Sequence, residues 1–263
     1  MFTGLMMSAW YVTLKKNVFI WMWLYCLNDK KRVFLILFWL LSTFSSVTFV
    51  VWINWKPNYK ASTVVRKCFH FIICIVYIPG ILYDVDLLRL ASGIALTAFI
   101  VLEMFRILNV PIIGSAIQSA FEVFLDEKDS GILILTNIYL LVGCSCPIWL
   151  TGYISDVKGY HICLFSGIIS VGLGDAAASV GGTFLGKHHW AGSNKTYEGS
   201  ICAIVTQLIV SFYFLLLGHE LSLHNITIII IAVLLTSLLE AKTTQVDNLV
   251  LPLFMFSFLC WIH

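Results

Sequence analysis

The chain repeatedly offers apolar windows about as long as a bilayer is thick, and this limits what it can fold into. Val33–Ile53 runs for 21 residues without a charged side chain. About 20 apolar residues in a helix cross a hydrocarbon core of about 30 Å. Further windows follow at Cys68–Tyr83, Leu87–Phe105, Ile132–Ile154, Ile162–Gly182, Ile201–Gly218, Ile226–Leu239 and Leu249–Ile262. Asn17–Leu27 holds only eleven residues and reads as a partial span. Pro111–Leu125 differs in kind. Ile113, Ile117, Ala120, Phe121 and Phe124 fall on one helical face, and Ser115, Gln118, Ser119 and Glu122 on another. Such a pattern suits a helix that lies in the interface or re-enters. The expectation is an all-α polytopic membrane protein with about 8–9 transmembrane helices and one interfacial or re-entrant helix.

Composition excludes a soluble domain. Hydrophobic residues make up 60% of the chain and charged ones 11%, against about 25% charged in soluble domains. Met1–Trp10 has no basic region ahead of an apolar core, so no conventional signal peptide is expected. The net charge of +2 gives no ground for a nucleic-acid partner. Eight cysteines form no CxxC pair, the closest spacing being Cys144-Ser-Cys146. Thiols in apolar segments behave as small hydrophobes.

Charge also orients the chain. If Pro111–Leu125 does not cross, the polar segments before Cys68, after Phe105, at Asp126–Gly131, at Thr183–Gly199 and at Ala241–Asn248 share one side. That side holds 11 of the 16 Lys and Arg residues. The positive-inside rule makes it cytosolic. Lys30-Lys31-Arg32 runs against this assignment, which therefore rests on the later two-thirds of the chain.

The segment Gly172-Leu-Gly-Asp-Ala-Ala-Ala-Ser179 places Asp175 among small and apolar residues. An ionisable group at membrane depth costs roughly 2.5–3.5 kcal/mol and usually serves a function. Gly174, Ala178, Gly182 and Gly186 recur every four residues, a smooth stripe on which another helix can pack closely. Asp175 and Ser179 lie beside it, and pairing of Asp175 with a buried base is the structural alternative. The polar loop that follows carries Lys187, His188, His189, Trp190, Gly192, Lys195, Thr196, Glu198 and Gly199. Adjacent histidines converge poorly on one metal ion. As a nucleotide site the loop is better: Lys195 can neutralise a phosphate, Thr196 can ligate a divalent ion or a phosphate oxygen, and Trp190 offers a stacking surface. It is not a P-loop, because GxxxxGK[ST] is absent. Phe124-Leu-Asp-Glu-Lys-Asp-Ser-Gly131 puts three carboxylates, Asp126, Glu127 and Asp129, on the same side. Phosphoryl transfer needs carboxylates to hold Mg²⁺ and one to orient or deprotonate the acceptor hydroxyl. Glu240–Asn248, Arg66-Lys67 with His70, and Glu103 with Arg106 complete a polar ring on that face, the last also readable as a helix-end ion pair.

These residues carry a resemblance from about Arg66 onward. Arg66-Lys-Cys-Phe-His70, Tyr77-Ile-Pro-Gly80, Phe124–Gly131, Ile134-Leu-Thr-Asn-Ile-Tyr-Leu-Leu141, Gly172–Ser179, Lys195-Thr-Tyr-Glu-Gly199 and Leu239–Leu249 stand in the order found in the dolichol kinases. The chain resembles these multi-pass endoplasmic-reticulum enzymes of the polyprenol kinase family. The resemblance implies 1–65 as weakly matched N-terminal membrane segments and 66–263 as a catalytic membrane domain with a cytosolic CTP-binding loop at 183–199. It implies transfer of the γ-phosphate of CTP to dolichol or a polyprenol, giving CDP and dolichyl phosphate for protein glycosylation. CTP would meet Thr183, Gly186, Lys187, Trp190, Gly192, Lys195, Thr196, Glu198 and Gly199. Asp175, Asp126, Glu127 and Asp129 are the catalytic candidates, with Asp175 and Asp129 on a divalent cation, Mg²⁺ or Ca²⁺. The loop departs from the family where Asn194 replaces a frequent second lysine. Rival readings are a CTP-dependent kinase of phytol or diacylglycerol, a cytidylyltransferase making a CDP-lipid, and a transporter or inactive member.

Overall fold

In a computed structural model, residues 18–54, 67–111, 113–122, 133–151, 162–218, 221–243 and 246–262 are described. Among them the secondary structure is helical, apart from one isolated antiparallel bridge between His189 and Thr196. The helices are α1 Val18–Leu27, α2 Lys30–Asn54, α3 Cys68–Tyr83, α4 Val85–Ile107, α5 Ile113–Glu122, α6 Thr136–Leu150, α7 Ala176–Leu185, α8 Tyr197–Gly218, α9 Leu223–Lys242 and α10 Asp247–Leu259. A 3₁₀ turn, Ile162–Phe165, and a π-helical stretch, Ile168–Asp175, lead into α7.

Each expected window therefore holds a helix. Five are long and apolar enough to cross a membrane: Lys30–Phe49, Val85–Ile107, Ile162–Leu185, Tyr197–Gly218 and Leu223–Lys242. Cys68–Tyr83, Thr136–Leu150 and Asp247–Leu259 are shorter apolar helices, each with an internal proline: Pro79, Pro147 and Pro252. The protein is a polytopic helical membrane protein.

The chain divides into two units after Phe44. In the first, Asp29 accepts a hydrogen bond from the Lys31 amide at 2.8 Å, the geometry of a helix N-cap. Arg32 donates to the Tyr25 carbonyl at 3.1 Å and lies 3.8 Å over the Tyr25 ring. The basic triplet Lys30-Lys31-Arg32 thus begins a helix next to α1.

In the second unit, Ile162–Leu185 is central: 78% of its apolar window is buried, against 17% for α4 and 28% for α8. Phe165 stacks on Phe214 of α8 with ring centroids 3.8 Å apart, and Ile169, Val171, Leu215, Ile229 and Met255 are fully enclosed in the same unit. Lipid tails are as apolar as leucine, so packing rather than water exclusion holds such helices together. The outward residues Ile201, Ile209 and Leu216 of α8 stay exposed, as a lipid-facing side requires.

The amphipathic segment forms the ten-residue helix α5, about 15 Å long and too short to cross. A turn with Asn109 at φ 50° joins it to α4. Arg106 clamps it there, donating twice to Glu103, at 2.9 and 2.7 Å, and to Gln118 of α5 at 2.8 Å. Glu103 also accepts the Ile134 amide at 2.7 Å, just before α6. The pair read as a helix-end ion pair is a joint between three helices.

Candidate active site

The starts of α3, α6, α8 and α10 meet the end of α9 around Asp175, and these ends carry the charged residues. Asp175 closes the π-helical stretch. A π turn inserts an extra residue per turn and often marks a functional position; here it sets the direction in which the aspartate leaves the helix. Lys67, directly before α3, forms an ion pair with Asp175. His70 Nε2 lies 3.3 Å from the same oxygen and 3.3 Å from Asn248 Oδ1. Asn248 donates to the Thr136 carbonyl at 3.4 Å, which brings the start of α6 into the group.

The second part is built on the loop. Lys195 Nζ donates to the Glu240 main-chain carbonyl and to Asp247 at 3.1 Å, and lies 3.8 Å from the Glu240 carboxyl. Glu240 is buried and within electrostatic reach of Asp175, Asp247, Lys195 and Lys67. The two parts are one cluster, with three carboxylates against two ammonium groups. Removing a partner from such a buried set strands a charge, at roughly 3–5 kcal/mol.

The loop is held for a reason visible in its sequence. Ser193 donates its amide to the Trp190 carbonyl at 3.1 Å, with Gly192 at φ 74° in the third turn position. That conformation is open to glycine and strained for other residues. Trp190 N–H donates to the Lys195 carbonyl and Tyr197 N–H to the His188 carbonyl, each at 2.9 Å, which closes a short hairpin. The Trp190 ring lies on Tyr197 with centroids 4.1 Å apart, and its Nε1 donates to Ser200 at 3.0 Å. Glu198 accepts from the His188 amide at 3.2 Å and pairs with its ring at 2.6 Å.

Thr196 is buried. Its hydroxyl accepts the Gly199 amide at 3.2 Å and so caps α8. A Cβ at Gly182 or Gly199 would meet that hydroxyl at 3.0 Å, and one at Gly199 would come 2.7 Å from the Ala178 carbonyl. The small-residue stripe is thus the surface on which α8 and its capping threonine rest.

Of the residues expected from the sequence, Asp175, Lys195, Thr196 and Gly199 come together, with Trp190, Gly192 and Glu198 building the loop. Thr183 spends its hydroxyl on the Ser179 carbonyl at 2.7 Å and is exposed, as is Lys187. Gly186 packs against Thr196. Asp126, Glu127 and Asp129 lie outside the described residues, as does Arg66. The structure adds Lys67, His70, Glu240, Asp247 and Asn248 as members of the site. The sequence put them on the same face, but their pairing with Asp175 and Lys195 spans 45 to 108 residues, and that of His70 with Asn248 spans 178, which leaves no local signal.

Fold and site together define a polytopic membrane protein in which half-buried lysines, one of them on a glycine-bearing loop, pair with buried and half-buried carboxylates at one end of a helical bundle. The chain belongs to the dolichol kinase family, whose sequence profile matches residues 1–203. It is 37% identical over 254 residues to the Bos taurus protein named Dolichol kinase, covering 92% of this chain and 47% of that one. It is 31% identical over 251 residues to Dolichol kinase EVAN of Arabidopsis thaliana, covering 93% and 43%. With Dolichol kinase of Saccharomyces cerevisiae it shares 33% over 193 residues, covering 72% and 35%. The chain thus spans about half the length or less of these curated relatives. No solved structure matches it.

Proposed function

We propose that this chain carries the phosphotransfer site of a CTP-dependent dolichol kinase. It moves the γ-phosphate of CTP to the terminal hydroxyl of dolichol or a related polyprenol, releasing CDP and dolichyl phosphate for protein glycosylation. The observation that carries this reading is the convergence of Lys195, on the loop, with Lys67 and Asp175 at membrane depth. Two ammonium groups held by carboxylates exchange those partners for phosphate oxygens when a nucleotide arrives. Four helix N-termini at the same end add positive dipole ends. The loop is cytosolic, where CTP is found, and the membrane is that of the endoplasmic reticulum. The acceptor hydroxyl approaches from the bilayer side of Asp175.

A divalent cation fits this donor set in one way. Asp175 and Asp247 offer the hard oxygens it prefers, but both are engaged by lysines, and among the described residues no three His, Cys, Asp or Glu side chains converge as a ready cage. That suits an ion arriving on the phosphates and taking one or two carboxylates, as Mg²⁺ usually does. Asp175, with Asp129 as the second candidate, would hold it, and it would offset charge on the β- and γ-phosphates. This chain's own part is to orient the nucleotide through Lys195 and Lys67 and to remove the hydroxyl proton with a carboxylate. Asp126, Glu127 and Asp129 remain the candidates for that proton.

The test is incubation of membranes holding this chain with γ-labelled CTP, dolichol and Mg²⁺. Labelled dolichyl phosphate that disappears in Lys195→Ala is the expected result. Lipid that retains CMP would make the protein a cytidylyltransferase. Label appearing only with phytol or diacylglycerol would change the substrate.

A further inference from the structure

Eight free thiols are present, and their surroundings separate them. Cys74 and Cys144 are enclosed within α3 and α6, and only Cys260 is exposed. Cys260 lies in the turn that closes α10. Cys163 lies in the 3₁₀ turn Ile162–Phe165, which packs against α10. The thiols of Cys163 and Cys260 lie within electrostatic reach of each other, one buried and one exposed. Neither has a part in the site described above.

Their place in the bundle matters as much as their nearness. Helix α10 starts at Asp247, inside the charged cluster, and runs 13 residues, about 20 Å, before reaching Cys260. The pair therefore stands at the end of the bundle opposite the cluster. If the cluster faces the cytosol, as proposed above, the pair faces the other compartment. In secretory membranes that compartment is oxidising, and disulfides form and persist there.

We propose that Cys163 and Cys260 form a disulfide at the non-cytosolic face, joining the central segment to α10. Exposed Cys260, as thiolate, attacks the disulfide of a luminal dithiol oxidoreductase. Cys163 then displaces that protein from the mixed disulfide. The two thiols lose two protons and two electrons, and the donor leaves as a dithiol. The sulfurs must close to about 2.05 Å. The bond ties together two elements, the central segment, which carries Asp175 near its middle, and α10, which begins with Asp247 and Asn248. It would fix their relative register from the far side of the membrane.

Counting thiols tests this without any assay of phosphate transfer, so its failure and that of the kinase reading are told apart. Membranes holding the full chain are dissolved in denaturing detergent with a polyethylene-glycol maleimide, with and without prior reduction. Six of the eight thiols should react without reduction and all eight after it. Cys260→Ser should give seven under both conditions. Eight without reduction overturns the proposal. So does a two-thiol deficit that persists in Cys260→Ser, because another pair would then be oxidised. In reduced, sealed vesicles with the cytosolic face outward, Cys260 should stay unmodified by a membrane-impermeant maleimide, read by peptide mass. Its modification there would overturn the assigned side.

Discussion

Gly143→Ala should separate α6 from α10 and disturb the site from a distance. A Cβ on Gly143 would stand 2.0 Å from the Asn248 carbonyl oxygen and 3.1 Å from Pro252 Cγ, both on α10. Carbon–oxygen contacts settle near about 3.3 Å, so the two backbones must part by roughly 1.3 Å. No flexible side chain can absorb this, because the obstructing atom is main chain. Asn248 moves with its helix. Its hydrogen bonds to His70 and Thr136, already 3.3 and 3.4 Å long, stretch beyond reach. Overpacking costs about 1–3 kcal/mol, and each lost hydrogen bond about 1 kcal/mol. The expected loss is about 3–5 kcal/mol, or roughly 6–20 °C in melting temperature for a chain of this size. Heating detergent-solubilised protein and measuring the soluble fraction by size exclusion gives the shift. Asn248→Ala serves as the control that removes the hydrogen bonds without the clash, and it should lose less. A Gly143→Ala protein melting within about 2 °C of the parent would refute the close approach of α6 and α10.

Lys195→Ala should lower phosphate transfer by about 100- to 1000-fold, the usual loss for one contact to transferring charge; normal turnover in the γ-labelled CTP assay would remove this lysine from the site. Lys67→Met strands the Asp175 carboxylate and should destabilise by about 3 kcal/mol. Adding Asp175→Asn should return part of that loss, and additive melting shifts in the double variant would show that the two side chains are not coupled. Thr196→Val deletes the cap on α8 and should cost about 1 kcal/mol, read as faster proteolysis of the loop before Tyr197; an unchanged cleavage rate would remove the cap's importance.

Much of the architecture was legible because bilayer thickness acts on sequence locally. Cys68–Tyr83 is a helix with the bounds its apolar run suggests, and Leu87–Phe105 and Ile226–Leu239 extend by a few residues to Val85–Ile107 and Leu223–Lys242. The amphipathic spacing around Ile117 and Gln118 marked a helix that lies in the interface or re-enters, and the described residues there form the ten-residue helix α5. The stripe of Gly174, Ala178, Gly182 and Gly186 announced a close helix contact, and Gly174, Gly182 and Gly186 meet Gln207 and Thr196 in the α8 region. The loop from Lys187 to Gly199 was recognisable from its residue types alone.

Sequence by itself determined that this chain is a helical membrane protein with a lysine-bearing loop and a costly aspartate at depth, because hydropathy and local spacing are properties of neighbouring residues. Only the tertiary structure decided what those groups do with their charge. It turned Asp175 through a π-helical stretch onto Lys67 and His70, gave Lys195 to Glu240 and Asp247, and committed the Thr196 hydroxyl to capping α8. None of these pairings is local in the chain except the cap. A buried charge takes whatever partner packing brings to it, and packing is settled by the whole bundle at once.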